Sequence, residues 1–399
     1  MAPADAARAR LASPVPVRAE LVARARALAP VLMERAERTE RNRSLLPETA
    51  DDFRAAGLWR MLQPRDWGGF GLDVATHVEV VAEIARGCAS SAWVLSLVSQ
   101  QNFLASAFPE EAKREICGGD GHLVLALTMG PAGRAEPAPG GYRLQGRWPY
   151  VSGIDQCTWV ALTSFNPERS DVPKPLSFLV PKESCTTIDD WHVLGLRGTG
   201  SKTVVLDGVF VPEHRTVSFA KLARDTPVPE GPTLAGVPIV SLFAMVVAAA
   251  APGIARAAVA AFEERIKTRR NAFMTAVQAQ YSDAQVGLAQ AAARAEAAYL
   301  MLMADAEDIS RRIAAGEHID VRCRTRYRLN MAEVLRICSE TVTALFLSAG
   351  TGAVFDSSLL QRHLRDMLTL RSHVAVEPGS SAENFGRVLL DLPPNPPFI

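Results

Sequence analysis

A central block with the pattern of β-strands lies between two stretches that have the period of α-helices. Short β-rich runs, separated by Gly, Pro, Asn and Asp, occupy 123–211, and no helical period interrupts them. A block of this kind predicts a small antiparallel barrel or sandwich. The predicted strands are Leu123–Leu127, Tyr142–Arg147, Trp159–Thr163, Leu176–Val180 and Thr203–Val211.

Both flanking stretches carry apolar residues at helical spacing. The first predicts helices near 19–38, 47–57, 74–86 and 90–107. The second follows a joint that contains Pro227, Pro229 and Pro232, and its two longest runs cover 282–315 and 320–348. Ser282 with Gln285 forms a capping-box pattern at the start of the first of these runs. Long helices side by side predict a bundle, and often an oligomer interface.

These patterns predict an α+β multidomain chain. We expect a flexible N-terminus over 1–17, an all-α domain over 18–118, a β-domain over 119–226 and a C-terminal four-helix bundle over 227–399. The bundle is expected to contribute to the oligomer interface.

Composition excludes several classes of function. Lys+Arg and Asp+Glu are both 43, so no basic field attracts nucleic acid or an anionic membrane surface. The longest apolar stretch, 237–261, is interrupted by Pro238, Pro252 and Gly253 and predicts a buried core helix rather than a membrane span. The 6 cysteines have no metal-site spacing, and no signal-peptide pattern is present. We therefore expect a cytoplasmic protein with reduced thiols and no bound metal.

Gly195–Lys202 looks superficially like a phosphate-binding P-loop. Its order is Gly-Ser-Lys instead of Gly-Lys-Ser, and a strand follows where a P-loop needs a helix. A turn whose backbone amides approach a ligand is the better interpretation. No GxGxxG follows a strand, and neither Ser91 nor Ser152 has a GxSxG elbow, so NAD-binding and hydrolase folds are not supported.

Several local strings occur in a fixed order along the chain. They are Trp67-Gly68-Gly69, the segment 85–94 that ends in Ala92-Trp93-Val94, the segment 146–153 with Trp148 and Ser152-Gly153, the segment 195–202, and 360–362 with Arg365-Asp366. Over about residues 40–390 the chain resembles acyl-CoA dehydrogenases. Within that superfamily it is most similar to the oxygenase components of two-component flavin-dependent monooxygenases, such as 4-hydroxyphenylacetate hydroxylase and dibenzothiophene monooxygenase.

The resemblance implies a cofactor, a co-substrate and partners. Such enzymes bind reduced FMN or FAD, which a separate NAD(P)H:flavin reductase delivers. The flavin reacts with O₂ to give a C4a-hydroperoxide that hydroxylates a bound small molecule, usually aromatic or polycyclic. The protein must hold the flavin in a dry pocket and position the substrate. A homotetramer or homodimer is expected.

The same resemblance assigns roles to four residues. Ser152 falls where the family places a hydroxyl near flavin N5. Trp148 offers a flat wall to the flavin or is simply core. His373 occupies the place of an active-site histidine that exchanges a proton with a substrate phenol or the peroxide. Gln101 stands where several of these monooxygenases have a histidine, and it can orient a substrate oxygen but not shuttle a proton.

For the phosphate end of the flavin, the family uses β-domain amides and polar groups together with basic residues of a partner subunit's bundle. The candidates in this chain are Thr128, Arg197, Thr199, Ser201, Lys202, Arg269, Arg270, Gly350, Thr351 and Gly352.

Two other interpretations stay open. The first is an FAD-dependent dehydrogenase of acyl-thioesters. Its catalytic Glu would fall at Val374, with Glu377 three residues late, or on the preceding bundle helix. The second is a flavin-fold subunit that binds or assembles without catalysing a reaction.

Overall fold

The computed structural model describes residues 15–117, 122–165, 175–222, 234, 236–270 and 276–395. Most of the predicted flexible N-terminus and the predicted proline joint lie outside these residues.

The N-terminal region is helical, as the sequence predicts. Its α-helices are α1 (Arg18–Asn42), α2 (Pro47–Ala55), α3 (Val74–Gly87), α4 (Ala89–Leu104) and α5 (Glu110–Ile116). Asp73 caps α3 by accepting a hydrogen bond from the amide of Thr76 at 2.8 Å. Nearly every residue of α4 is buried, so this helix lies at the centre of the protein rather than at its surface.

The middle region forms one eight-stranded sheet. Its strands are β1 (Leu125–Thr128), β2 (Arg134–Ala138), β3 (Gly141–Val151), β4 (Trp159–Phe165), β5 (Pro175–Pro181), β6 (Thr186–Ile188), β7 (Lys202–Pro212) and β8 (Thr216–Ser218). The order is β6-β7-β3-β2-β4-β5-β8, and β1 pairs with β4. The five predicted strands correspond to β1, β3, β4, β5 and β7. The sheet is mixed rather than purely antiparallel, because β1 and β2 run parallel to β4.

The C-terminal region is the predicted helical bundle. After a short α6 (Phe219–Leu222) come α7 (Ile239–Ala248), α8 (Ala251–Thr268), α9 (Ser282–Ala314), α10 (Val321–Ser348), α11 (Leu359–Arg371) and α12 (Pro378–Leu389). Helices α8, α9, α10 and α11 form the four-helix bundle, with α10 in contact with each of the other three. The predicted capping box is wrong. Tyr281 precedes the helix without a side-chain cap, and the Gln285 amide donates to the carbonyl of Ala279.

Residues Ile239–Thr268 are long and apolar enough to cross a membrane, with a mean hydropathy of 1.9 over the most apolar window. In the folded chain 83% of that window is buried. At Gly253 a Cβ atom would lie 2.1 Å from the Ala82 carbonyl oxygen, so α8 packs closely on α3. The stretch is a core segment, as predicted.

One apolar core joins all three regions. It includes Phe53 and Val94 of the N-terminal helices, Trp148 of the sheet, and Met245 and Val342 of the bundle. The regions are therefore not separate bodies, and the buried helix α4 lies where they meet.

Candidate active site

The indole of Trp93, on α4, connects the two side chains that the sequence singles out as catalytic. Its Nε1–H donates to Ser152 Oγ at 3.1 Å. Its ring centroid lies 5.5 Å from that of the His373 imidazole, with the rings tilted by 56°. Ser152 at the end of β3 and His373 after α11 thus contact the same indole, although they come from different regions of the chain.

Ser152 belongs to a short chain of hydroxyl groups. Its Oγ lies 2.7 Å from Ser201 Oγ, which lies 2.7 Å from Thr199 Oγ1. All three side chains are buried. Because each hydroxyl has one hydrogen to donate, these two hydrogen bonds point either towards Ser152 or towards Thr199. If Thr199 donates to Ser201 and Ser201 to Ser152, the Ser152 O–H is left free to donate to a ligand.

The environment of His373 fixes its tautomer. The backbone N–H of Ala375 donates to Nδ1 at 3.2 Å, so Nδ1 is the acceptor nitrogen and Nε2 carries the proton. The ring packs against Trp93 and, edge-on, against Phe243 of α7 at 5.3 Å between centroids. Burial lowers the pKa of His373 to about 4. The imidazole thus favours the neutral form and presents an Nε2–H donor, while its exchange of a proton with a substrate or peroxide stays a prediction.

A β-bulge next to Ser152 changes which side chains face inward. The pairing of β3 with β7 shifts register between Trp148 and Val151, and Tyr150 has a positive φ of 63°. Trp148 is fully buried, and its Nε1–H donates to the Thr163 carbonyl at 2.8 Å. The structure thus supports the core interpretation of Trp148 and not that of a flavin wall.

The exposed aromatic side chain nearest to Ser152 in the sequence is that of Tyr150, which the sequence analysis missed. Its side chain is 71% exposed and lies edge-on to Trp191, with 6.2 Å between centroids. Strand alternation would have put residues 148, 150 and 152 on one face, and only the bulge separates them.

Gln101 is buried two turns after Trp93 on α4. Its Nε2 donates to the Leu127 carbonyl at 3.1 Å. Among the described residues, Oε1 has no hydrogen-bond partner. The Leu127 carbonyl can only accept, so the orientation of the Gln101 amide is fixed, and the buried Oε1 is left as an acceptor near the end of β1.

The Gly-rich turn 195–200 is packed against protein. The Leu196 amide donates to Asp366 Oδ1 at 2.6 Å, and the Gly198 amide donates to Ser90 Oγ at 3.1 Å. A Cβ at Gly198 would lie 2.4 Å from Thr39 Cγ2. Contrary to the expectation from sequence, these two amides bind side chains of α11 and α4 instead of approaching a ligand.

The charged residues of that turn also have protein partners. Lys202 Nζ lies 2.8 Å from Asp155 Oδ2, and Arg197 Nη1 lies 3.4 Å from Glu40 Oε1. The hydroxyls of Thr199 and Ser201 form the hydrogen-bonded chain that ends at Ser152. The expectation that Arg197 and Lys202 hold a phosphate is therefore not supported, because carboxylates of the same chain pair with both.

A second group of cationic side chains, Arg265 and Arg269, lies at the C-terminal end of α8. Arg265 lies in the last turn of α8, and Arg269 follows the helix directly. Both side chains reach the loop that follows α10, where Arg265 Nη2 donates to the Ala349 carbonyl at 3.2 Å. Cβ atoms at Gly350 and Gly352 would lie 2.6 and 2.5 Å from the Arg269 and Arg265 guanidinium nitrogens. Burial and the Arg269 charge lower the pKa of Arg265.

This group fits an anion such as a flavin phosphate. No carboxylate of the described residues forms an ion pair with Arg265 or Arg269, and the missing Cβ atoms of the two glycines let both guanidinium groups approach the loop backbone. Arg269, Gly350 and Gly352 were predicted. Arg265 was missed, although it lies one helical turn before Arg269. Arg270 and the exposed Thr351 adjoin the group.

Neither base position of a dehydrogenase carries a suitable carboxylate. Glu377 accepts hydrogen bonds from the amides of Ser380 and Gly379 at 2.6 and 2.8 Å, which lower its pKa and make it the cap of α12. The bundle helix that packs on His373, α7, contains only apolar residues and Ser241. No group of three or more His, Cys, Asp or Glu in the described part of the chain is arranged to hold a metal ion.

Comparison with known proteins agrees with this site. The model "Acyl-CoA dehydrogenase, N-terminal domain" matches residues 18–117, and "Acyl-CoA dehydrogenase, C-terminal domain" matches residues 245–378. A pigment production hydroxylase from Rhodococcus sp. is 33% identical over 96% of this chain and 99% of its own length. HsaA, the oxygenase subunit of a flavin-dependent monooxygenase from Rhodococcus jostii, is 31% identical over 92% of this chain and 97% of its own.

Solved structures give the same result. XiaF from Streptomyces sp., in complex with FADH2 and glycerol, has a TM-score of 0.90 and 30% identity, with 96% of this chain and 98% of that chain covered. The 3-HSA hydroxylase from Rhodococcus sp. RHA1 has a TM-score of 0.88 and 30% identity, with 95% and 99% covered. The predicted fold and family are confirmed. The chain belongs to the acyl-CoA dehydrogenase family, within its branch of oxygenase subunits of flavin-dependent monooxygenases, and is a reduced-flavin-dependent oxidoreductase.

Proposed function

We propose that this protein hydroxylates an aromatic small molecule with O₂ and a reduced flavin that a separate NAD(P)H:flavin reductase delivers. The observation that carries the proposal is that the Ser152 hydroxyl and the His373 imidazole both contact the Trp93 indole. Aromatic substrates are also named for relatives, among them a resorcinol hydroxylase and a p-hydroxyphenylacetate 3-hydroxylase, both oxygenase components. Flavin bound here would supply the electrons that activate O₂.

The residues of the site divide the work between them. The hydroxyl chain ending at Ser152 supplies a hydrogen-bond donor inside a buried environment. His373 supplies a second donor, Nε2–H, that stays neutral across the physiological pH range. Gln101 supplies an acceptor for a hydroxyl or N–H group of the substrate. Tyr150 gives an exposed ring against which a flat ligand can stack.

The phosphate end of the flavin is proposed to bind at Arg265, Arg269 and the loop Gly350–Gly352, contributed by a second copy of the chain. Large apolar side chains flank this loop in solvent, with Leu347 68%, Val354 61% and Phe355 66% exposed. Exposed apolar residues beside a ligand site are typical of a subunit interface. They support the predicted homodimer or homotetramer. All six cysteines are free, which supports the predicted cytoplasmic location.

A dehydrogenase is the weaker interpretation, because it needs a carboxylate as catalytic base. Glu377 caps α12 through the Ser380 amide, and α7 contains no carboxylate. The discriminating observation is simple. A dehydrogenase would retain oxidised flavin on purification and be reduced by an acyl-thioester, whereas an oxygenase component is expected to bind reduced flavin more tightly than oxidised flavin.

The test is an anaerobic titration with reduced FMN and with reduced FAD, followed by mixing with oxygenated buffer that contains resorcinol, 4-hydroxyphenylacetate or indole-3-acetate. We expect tight binding of at least one reduced flavin and a product heavier than its substrate by one oxygen atom. Failure to bind either reduced flavin at micromolar concentration would contradict the proposal. Reduction of bound oxidised flavin by an acyl-thioester would favour the dehydrogenase.

A further inference from the structure

Arg328 is a buried arginine of α10 whose side chain reaches the loop that carries His373. Its residue is only 3% exposed. Nε donates to the Ala375 carbonyl at 3.4 Å, and Nη2 donates to Ser380 Oγ at 2.9 Å. Burying a guanidinium group is costly unless its hydrogen bonds are satisfied, and both of these partners lie close to His373 in the sequence.

Ala375 links Arg328 to His373. Its carbonyl accepts from Arg328, while its own N–H donates to His373 Nδ1 at 3.2 Å. Both bonds belong to the same 3-10 turn, Val374–Val376. Ser380, the second partner of Arg328, lies in the first turn of α12, which Glu377 caps. The guanidinium therefore links the middle of the turn to the first turn of α12.

We propose that Arg328 is a positioning residue for His373. By holding the turn Val374–Val376 in place, it keeps the Ala375 N–H on Nδ1 and so directs the Nε2–H of the imidazole into the site. The catalytic consequence depends on the function proposed above, but the effect on the imidazole itself does not.

No other described group is placed to orient the imidazole by charge. The elements packed against it present Trp93 from α4 and Phe243 from α7, both uncharged, and α7 contains no ionisable residue. Two charged residues lie close to His373 in the sequence, and both have other partners. Arg371 donates to Ser339 Oγ at 3.4 Å, and Glu377 accepts from the Gly379 amide of α12. The Ala375 N–H is the contact that selects the tautomer.

The test compares Arg328→Met, Arg328→Lys and Ser380→Ala with the wild type. Arg336→Met is the matched control, because Arg336 lies on the same helix but pairs with Glu333 and Glu340 at the surface. The first measurement is the pH dependence of deuterium exchange at Cε1 of the His373 imidazole, followed by mass spectrometry in flavin-free protein. Exchange at this carbon reports the pKa of the ring.

Wild type and Arg336→Met should show an exchange midpoint near the lowered pKa of about 4. In Arg328→Met the turn loosens, the ring gains solvent, and the midpoint should move towards the ordinary histidine value of about 6.5. Ser380→Ala should shift it in the same direction by less. Arg328→Lys should be intermediate, since a single ammonium group can reach one acceptor but not hold both.

The second measurement is product formed per reduced flavin oxidised, between about pH 6 and 8. Wild type and control should be insensitive to pH in this range. Arg328→Met should lose roughly tenfold in yield, as expected for a misplaced catalytic group, and should gain a pH dependence. A purely structural loss would lower the amount of folded protein without creating a new titration.

If Arg328→Met does not fold, Ser380→Ala and Arg328→Lys decide the question by the same two readouts. A folded Arg328→Met, or failing that a folded Ser380→Ala, with the wild-type midpoint and the wild-type yield would overturn the proposal. Absence of oxygenated product from the wild type would instead contradict the proposed function, while the exchange midpoints would still decide the role of Arg328.

Discussion

The direction of hydrogen bonds decides what each residue of the site can do. Trp93 can only donate, so Ser152 must accept from it, and the free hydrogen of Ser152 depends on Ser201 and Thr199 behind it. Ala375 likewise makes His373 Nδ1 an acceptor. With Thr199 donating to Ser201 and Ser201 to Ser152, the site offers two neutral donors, and acid–base exchange by the histidine is not needed to explain the arrangement.

We expect Ser152→Ala to release roughly tenfold more H₂O₂ per product molecule, because a donor hydrogen bond to the reacting flavin is lost. Ser201→Ala should act in the same direction but more weakly, since it removes support and not the donor. Ser164→Ala is the control, being another fully buried serine in the sheet. Equal coupling in all four proteins, measured by peroxide assay and product analysis, would refute the role of the hydroxyl chain.

For His373 the account predicts that an uncharged donor can partly replace the imidazole. His373→Gln should retain more product formation than His373→Ala. Neither wild type nor His373→Gln should show a rate titration near pH 6.5, the ordinary histidine pKa. A wild-type profile that titrates near that pH and disappears in His373→Gln would show that the histidine exchanges protons after all.

Sequence reasoning located Ser152 and His373 because both follow recognisable local strings. It did not locate Trp93 as their link, since no local pattern reveals which side chains from distant segments will touch. It left open whether Trp148 faces the flavin or the core and did not single out Tyr150, because a β-bulge breaks the strand alternation without leaving a composition signal. Arg328 was missed because an arginine on a helix usually faces solvent.

At the scale of elements, the turn 195–200, which precedes β7, forms hydrogen bonds with the helices α11 and α4. Asp366 of α11 accepts from the Leu196 amide, and burial raises the pKa of Asp366 to about 6. Glu40 of α1 pairs with Arg362 and Arg365 of α11. The resemblance to a phosphate loop therefore comes from glycines that close helix–turn packing requires.

This packing gives a prediction about stability. A Cβ at Gly195 would lie 2.1 Å from the Arg365 carbonyl oxygen, so Gly195→Ala should lower the free energy of unfolding by at least about 2 kcal/mol. Gly386 on α12 has no atom within 4 Å of such a Cβ, and Gly386→Ala should be neutral or stabilising by up to about 1 kcal/mol. Denaturant unfolding of the two variants checks the difference, and equal stabilities would contradict the packing argument.

At the scale of the whole molecule, one core joins three regions, and the site lies on the buried helix α4 between them. Periodicity predicted the regions well, because long helices and bounded strands leave strong patterns. The short strands β2, β6 and β8 were missed, since three to five residues carry too little pattern. The parallel pairing of β1 with β4 was missed because the direction of pairing depends on how the whole sheet is connected, and the sequence of a single strand does not reveal it.

Buried histidines should make the stability of this molecule depend on pH. Ser96 Oγ donates to the Val246 carbonyl at 2.8 Å, so it accepts from His77 Nε2 at 3.1 Å. Burial lowers the pKa of His77 to about 3. Its contribution is complete above the unfolded pKa of about 6.5 and is lost as the pH falls towards the folded value, because the unfolded chain binds the proton first. His363, with a pKa lowered to about 4 by burial, acts in the same direction.

Replacing His77 with Gln keeps a donor for Ser96 but removes the titration. Between pH 6.5 and 5, the unfolding free energy of the wild type should fall more steeply than that of His77→Gln, by up to about 1.4 kcal/mol per pH unit. Asp305 and Asp366, whose pKa values burial raises to about 6, act in the opposite direction but equally in both proteins. Parallel curves in denaturant unfolding would show that His77 does not contribute.

The central claim is that the hydroxyl of Ser152 and the imidazole of His373 serve one flavin ring at Trp93. The most direct measurement is a structure of the protein assembled with flavin under anaerobic conditions. The account predicts the ring beside Tyr150 and Trp93, within hydrogen-bonding distance of Ser152 Oγ and on the side of the pocket that His373 faces. A flavin ring bound away from Ser152, or with His373 outside the pocket that holds it, would contradict the account.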